Sequence, residues 1–171
     1  MKVLVLRHGP AGNAEAWSAA GKPEKARPLT PAGLRKMETA CAGIKRLLPE
    51  LGVIATSDCV RASQTAGLLR RHYPRAKLVE LKSLRPGYDI KDTLEWLSSQ
   101  SRGASVALVG HEPACGRLAS RLLCGEDACF LRFKKGAAAL LETTGPAKPG
   151  HATLLWLLQP KGLRAMGNRG R

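Results

Sequence analysis

Aromatic residues are scarce in this chain: two Phe, two Tyr and three Trp among 171 residues. No basic, aromatic-interleaved stripe of the kind that stacks on single-stranded bases can be built from so few, which sets general nucleic-acid binding aside as a minor reading. Cysteines are five, at 41, 59, 115, 124 and 129, and no two are separated by just two residues as a zinc ribbon or thioredoxin-like pair requires. Reduced, mostly buried thiols are the reading that follows. Long apolar runs are missing from the start of the chain, where only Val3 to Leu6 are continuously apolar. That is shorter than a signal-peptide core and far short of the ~20 residues that span a bilayer, so a cytoplasmic protein is expected. No Gly-Lys-Ser/Thr follows Gly9 and Gly12, and no three-glycine fingerprint occurs, which argues against nucleotide chemistry. Acidic residues are few as well, 13 against 28 Lys and Arg, and none lies between Thr143 and Arg171. The net charge of +15 creates a field that attracts phosphates or an acidic protein face.

What the chain does have is the composition of one globular domain. Its hydrophobic fraction is 44%, and at 171 residues it can bury roughly two-thirds of its unfolded surface. Lys2 to Leu6 reads as a buried strand that stops at Arg7-His8-Gly9. Residues 10–28, with Gly12, Gly21, Pro23 and Pro28, read as a long loop containing one helical turn around Glu15 to Ala19. Thr30 and Pro31 open a helix whose stripe is Leu34, Met37, Cys41, Ile44 and Leu48, ending near Pro49. Val53 to Thr56 is a second strand, with Ser57-Asp58 as N-cap residues for a helix from about Cys59 to Tyr73. A third strand is expected over Lys77 to Leu81, a helix over Asp89 to Ser99, a buried strand over Ser105 to Val109, and a further helix through Leu118 and Leu122 to Cys124. Cys129 to Phe133, Ala137 to Glu142 and His151 to Leu158 then read as strands without intervening helices.

The fold class is therefore α/β: one domain over residues 1–160 with a mostly parallel central sheet, helices on both faces and antiparallel strands toward the C-terminus. Residues 161–171, with four basic residues and three glycines, read as a frayed basic tail.

Three polar clusters fall at the C-terminal ends of strands: Arg7-His8, Ser57 to Arg61, and Gly110-His111. In a parallel sheet these ends share one edge, where ligands bind in the crevice outside the strands. Two arginines, two histidines and a helix N-terminus make a site for an anion, because the arginine fork matches phosphate oxygens and the helix end offers unpaired amides. A histidine in such a cage can attack phosphorus if one ring nitrogen is unprotonated and in line. Taken singly, His8 is also compatible with a structural role or with a metal site shared with His111 and His151, but no pair has the four-residue spacing of a zinc-binding helix. His72 and His151 read as structural or exposed.

Arg7-His8-Gly9, Arg27-Pro28-Leu29-Thr30-Pro31-Ala32-Gly33, Ser57-Asp58-Cys59-Val60-Arg61-Ala62-Ser63-Gln64-Thr65-Ala66 and Val109-Gly110-His111-Glu112-Pro113 together resemble the histidine phosphatase superfamily, and within it the short SixA-type phosphohistidine phosphatases. The resemblance covers nearly the whole chain. It implies that His8 is the nucleophile, that Arg7, Arg61 and His111 bind the phosphoryl group and stabilise its transition state, and that no metal or other cofactor is needed. Arg27 and Ser57 are further candidates for substrate contact. The implied activity is removal of phosphoryl groups from histidines of signalling or phosphotransfer proteins, by a monomer or weak dimer.

Two departures from the family pattern bear on the substrate. Many superfamily members carry a Glu acid in the segment corresponding to Leu84-Arg85-Pro86, and this chain has Ser83 near that place. Pro10 follows Arg7-His8-Gly9 where an acidic residue is frequent. Glu112, Asp89 and Glu80 are the alternatives for a proton donor. Two rival readings stand beside the phosphohistidine phosphatase: a general small-molecule phosphomonoesterase, which needs such an acid, and a catalytically silent phosphoprotein- or RNA-binding module using the same basic crevice.

Overall fold

A computed structural model describes residues 1–168. Six strands form one sheet: β1 (Lys2–Arg7), β2 (Val53–Thr56), β3 (Lys77–Glu80), β4 (Ser105–Gly110), β5 (Ala138–Thr143) and β6 (Ala152–Leu158). Their order is β3-β2-β4-β1-β5-β6. The first four are mutually parallel, while β5 runs antiparallel to β1 and β6 antiparallel to β5. The helices are α1 (Ala14–Ala19), α2 (Pro31–Leu47), α3 (Val60–His72), α4 (Lys91–Ser98), α5 (Ala114–Cys124) and α6 (Pro160–Asn168), with short 3-10 turns at Glu24–Ala26 and Lys82–Leu84.

Alternation along the central strands divides the core in two, because successive side chains of a strand point to opposite faces. Leu4 and Leu6 of β1, with Ile54 of β2, pack beneath Met37 and Ile44 of α2, Leu69 of α3 and Leu163 of α6. Val3 and Val5, with Val106 and Leu108 of β4, pack against Leu97 of α4 and Leu118 and Leu122 of α5. A sheet buried on both faces reads as a continuous apolar run, as Val3 to Leu6 does.

Thr30 caps α2 by accepting from the Gly33 amide at 2.9 Å, with Pro31 at the first position. Met37, Cys41, Ile44 and Leu48 of the expected stripe are buried, whereas Leu34, in the first turn, is 36% exposed. The caps expected for α3 differ. Cys59 occupies the N-cap position and makes no side-chain cap bond. Asp58 is instead held by the fork of Arg85, with Lys25 nearby, and Ser57 bonds to His111. A bidentate charged pair outcompetes a single amide for the carboxylate.

Two other expectations are corrected. Cys129 to Phe133 is not a strand and joins neither of the sheet's outer strands, β3 or β6. Side chains satisfy its backbone instead: Ser120 accepts from the Phe130 amide, Glu112 from the Phe133 amide, and Gln159 donates to the Arg132 carbonyl. Pro160 to Asn168 is a helix rather than a frayed tail, and its Leu163 is fully buried. One of the glycines that suggested fraying, Gly167, is part of the reason it docks. A Cβ on Gly43 of α2 would overlap the Leu163 carbonyl, and one on Gly167 the Thr39 carbonyl, so two glycines let α6 and α2 cross in backbone contact. The rest of the expected tail, residues 169–171, lies outside the described residues.

Candidate active site

β1 and β4 are paired in register to their ends, with Arg7 opposite Gly110, and β2 runs beside β4 to Thr56 opposite Val109. The residues that follow each strand therefore emerge side by side. The His8 amide donates to the Gly110 carbonyl at 3.0 Å, and the Gly136 amide donates to the His8 carbonyl at 2.9 Å, so the backbone of His8 is pinned from two sides. Gly9 must be small, because a Cβ there would run into the Met37 side chain. Its amide donates to Thr65 Oγ1 at 3.1 Å, and that hydroxyl donates to the Arg61 carbonyl at 2.7 Å, tying the His8 turn to the start of α3.

The His8 and His111 rings lie with centroids 4.9 Å apart at 55°. Nδ1 of His8 is 2.7 Å from the Gly9 carbonyl oxygen. A carbonyl only accepts, so Nδ1 carries the proton and Nε2 is the bare, nucleophilic nitrogen of the neutral ring. His111 Nε2 is 2.9 Å from Ser57 Oγ. Arg7 reaches the Phe133 carbonyl through Nη1, and Arg61 reaches the Glu24 carbonyl through Nη1 at 3.0 Å. Arg7 Nε, Arg61 Nε and His111 Nδ1 are buried and have no protein partner. Orphaned buried polar groups cost on the order of 1–3 kcal/mol each, so three in one crevice mark a place built for a ligand with acceptor oxygens.

The charges agree. Burial pushes the His8 pKa down to about 4, with Arg61, Arg7 and Lys135 adding to the effect and the Gly9 hydrogen bond opposing it. Burial also holds His111 down at about 3, helped by His8, Arg61 and Arg7. Both rings are neutral at pH 7, and the positive charge comes from the two guanidinium groups and Lys135.

Of the six residues singled out from the sequence, His8, Arg7, Arg61 and His111 converge directly. Ser57 is fully buried and engaged with His111, so it stands behind that ring rather than on the crevice wall. Arg27 is buried too, but its donors are occupied: Nε and Nη2 grip the Glu24 carboxylate at 2.9 and 2.5 Å, and Nη1 meets the Gly12 carbonyl. Glu24 is the residue the sequence reading missed. It follows Pro23 in the loop and lies three residues before Arg27, a spacing that pairs side chains on a helical turn and was the available signal. Its Oε1 is 3.4 Å from Arg61 Nη2.

Of the three alternative acids, two are engaged elsewhere or exposed, and Glu112 keeps one buried carboxylate oxygen without a partner. Glu112 Oε1 accepts from the Phe133 amide, Asp89 caps the Lys91 amide, and Glu80 is exposed at the end of the edge strand β3. Ser83 accepts from the Thr93 hydroxyl at 2.8 Å and shares a small cavity with His111. Among the described residues no group of three or more His, Cys, Asp or Glu could hold a metal ion, and no helix is long and apolar enough to cross a membrane.

No protein-family model matches the chain. An uncharacterized protein of Picosynechococcus sp. is 29% identical over 171 residues, covering 95% of this chain and 99% of that protein. Among solved structures, the protein histidine phosphatase SixA complexed with tungstate superposes with a TM-score of 0.77 at 25% identity, covering 95% of this chain and 99% of the other. A SixA-named protein from Nakamurella multipartitia gives 0.73 at 25% identity, covering 93% and 95%. The tungstate in the first of these SixA structures is a tetrahedral oxyanion.

Proposed function

The chain is a SixA-like member of the histidine phosphatase superfamily in fold and motif, and on that premise we propose that it hydrolyses phosphohistidine on proteins through a phosphoryl intermediate on His8. The observation that carries this reading is the bare Nε2 of His8 beside the unpartnered donors of Arg7, Arg61 and His111.

In the first step Nε2 of His8 attacks phosphorus while the bond from phosphorus to the substrate imidazole breaks, its electron pair returning to the departing ring. The two arginines carry the charge of the transferring phosphoryl oxygens, donors fixed in advance being worth far more there than in water. With Ser57 as the donor in its 2.9 Å hydrogen bond to His111 Nε2, the proton of that ring sits on Nδ1, the tautomer that an oxyanion requires and that this reading assigns. In the second step water attacks the phosphoryl group on His8. Dihydrogen phosphate leaves, and Nε2 regains its lone pair.

The choice of phosphohistidine over a monoester rests on the leaving group. An alkoxide needs a positioned acid, a contribution of typically ~100- to 10,000-fold; Ser83 has no carboxyl, Asp89 caps the Lys91 amide, Glu80 is exposed on β3, and Glu112 is held at Oε1 by the Phe133 amide, with its Oε2 alone unpartnered. A phosphohistidine ring already protonated on its remote nitrogen departs neutral. The partner is then a phosphohistidine-bearing signalling or phosphotransfer protein, which the excess of basic over acidic residues would favour if it is acidic. The test is phosphate release from matched phosphohistidine and phosphoserine peptides. A kcat/KM ratio of ~100 or more in favour of phosphohistidine is expected; equal rates would return the chain to the phosphomonoesterases.

A further inference from the structure

We infer that Glu24 is a specificity-determining residue, selecting substrates whose leaving group departs with a proton already on it; the inference rests on the phosphohistidine reading of the same site.

A carboxylate beside an anion-binding cage is costly, because it repels the very group the cage collects. Glu24 is nonetheless held there firmly. Both its oxygens are gripped by the fork of Arg27, which is itself buried and further anchored on the Gly12 carbonyl. The hydrogen bond from Arg27 keeps the Glu24 carboxyl below the ordinary range, with Arg61 and His8 contributing, so it stays ionised. Asp58 is held by Arg85 and Lys25, and Glu112 is held at Oε1 by the Phe133 amide. The charge of Glu24 is felt at His111, whose pKa it raises against the larger lowering effects.

Its position assigns the direction in which it acts. His8 is 5% exposed and Arg61 4%, whereas the Glu24 side chain is 52% exposed while lying 3.4 Å from Arg61. A buried nucleophile attacking in line drives the leaving group outward, to the solvent side of Arg61 where Glu24 stands. There the remote N–H of a phosphohistidine ring meets an acceptor that remains charged. Glu24 takes no proton in this step: the N–H donates to its carboxylate, the P–N electron pair returns to the ring, and the ring leaves neutral. An alkoxide or phenolate developing at the same place meets a like charge. The carboxylate therefore helps one leaving group and opposes the other, a use of repulsion for specificity.

The measurement is kcat/KM of the wild type and of Glu24→Gln on a phosphohistidine peptide and on p-nitrophenyl phosphate, whose leaving group needs no acid. The variant is expected to lose about tenfold or more on the peptide, the scale of one charge-assisted hydrogen bond, while its rate on the aryl ester stays level or rises. A parallel loss on both substrates would mean that Glu24 only holds Arg27 and Arg61 in place, and would overturn the inference; so would a peptide rate left unchanged. The wild-type rates separate this from the underlying reading. If the wild type hydrolyses p-nitrophenyl phosphate but not the phosphohistidine peptide, the substrate class itself is wrong. If it hydrolyses the peptide and the variant keeps the same preference, Glu24 alone is wrongly assigned.

Discussion

The carbonyl oxygen of Gly9 lies 2.7 Å from Nδ1 of the adjacent His8, a bond between neighbours that fixes which nitrogen of the ring is free to react. The same turn is tied through the Gly9 amide to Thr65 on α3, so the tautomer and the ring's placement against Arg61 are set by one short segment.

Arg61→Lys should not restore function. The side chain is 4% exposed, its Nη1 is tied to the Glu24 carbonyl and its Nε is unpartnered, so the fork has one edge committed to the protein and another free for phosphoryl oxygens. An ammonium reproduces the charge without the geometry. A fall of ~100-fold or more in kcat/KM is expected, the scale of removing one preorganised donor. Steady-state kinetics with a phosphohistidine peptide measure it, and near-normal values would show that the fork is irrelevant.

Ser57→Ala should leave the fold standing but loosen His111. Loss of one buried hydrogen bond costs about 1 kcal/mol of stability, while the freed ring can take the wrong tautomer toward the oxyanion. Inorganic phosphate binding, followed by calorimetry, should weaken by about tenfold. Unchanged binding would mean that Ser57 does not orient His111.

The acid limb of kcat/KM should lie well below the ordinary histidine range. His8 is held at about 4 by burial and by its cationic neighbours, so its Nε2 is already free of a proton at neutral pH. A profile taken from pH 4 to 9, with the substrate's own ionisation measured separately, should show no loss from an enzyme group between pH 8 and 6. A single enzyme group titrating near 8 would contradict this.

Stability should follow the same two rings. Both have folded pKa values depressed below the unfolded value of about 6.5, so below that pH the unfolded chain binds protons first. Their contribution is complete above about 6.5 and declines as pH falls toward 4. At pH 5 each ring should have removed on the order of 2 kcal/mol relative to pH 7. Urea denaturation at the two pH values measures the loss, and His8→Asn should lose less than the wild type.

The crevice was legible because its residues follow apolar runs: Arg7-His8, Ser57 and Gly110-His111 each end a buried strand, and parallel strands end on one edge. What escaped was decided by tertiary pairing. Gly162 and Gly167 with basic neighbours suggested a frayed end, yet glycine opposite Gly43 and Thr39 is what brings α6 onto α2. Cys129 to Phe133 has the composition of a strand, but side chains of Ser120, Glu112 and Gln159 take up its backbone groups, and its Phe133 carbonyl receives Arg7. Ser57 and Asp58 have the chemistry of caps, but His111 and Arg85 are the partners they meet. Glu24, in a loop without periodicity, is recognisable only through its offset from Arg27.

The most direct test is to mix the protein with phosphohistidine-labelled peptide, quench within milliseconds and locate the phosphoryl group. The expected result is up to one equivalent of acid-labile phosphate on Nε2 of His8, absent from a folded His8→Ala variant that no longer turns over. Full turnover by His8→Ala, or label found on His111 instead, would contradict the assignment of His8 as the nucleophile.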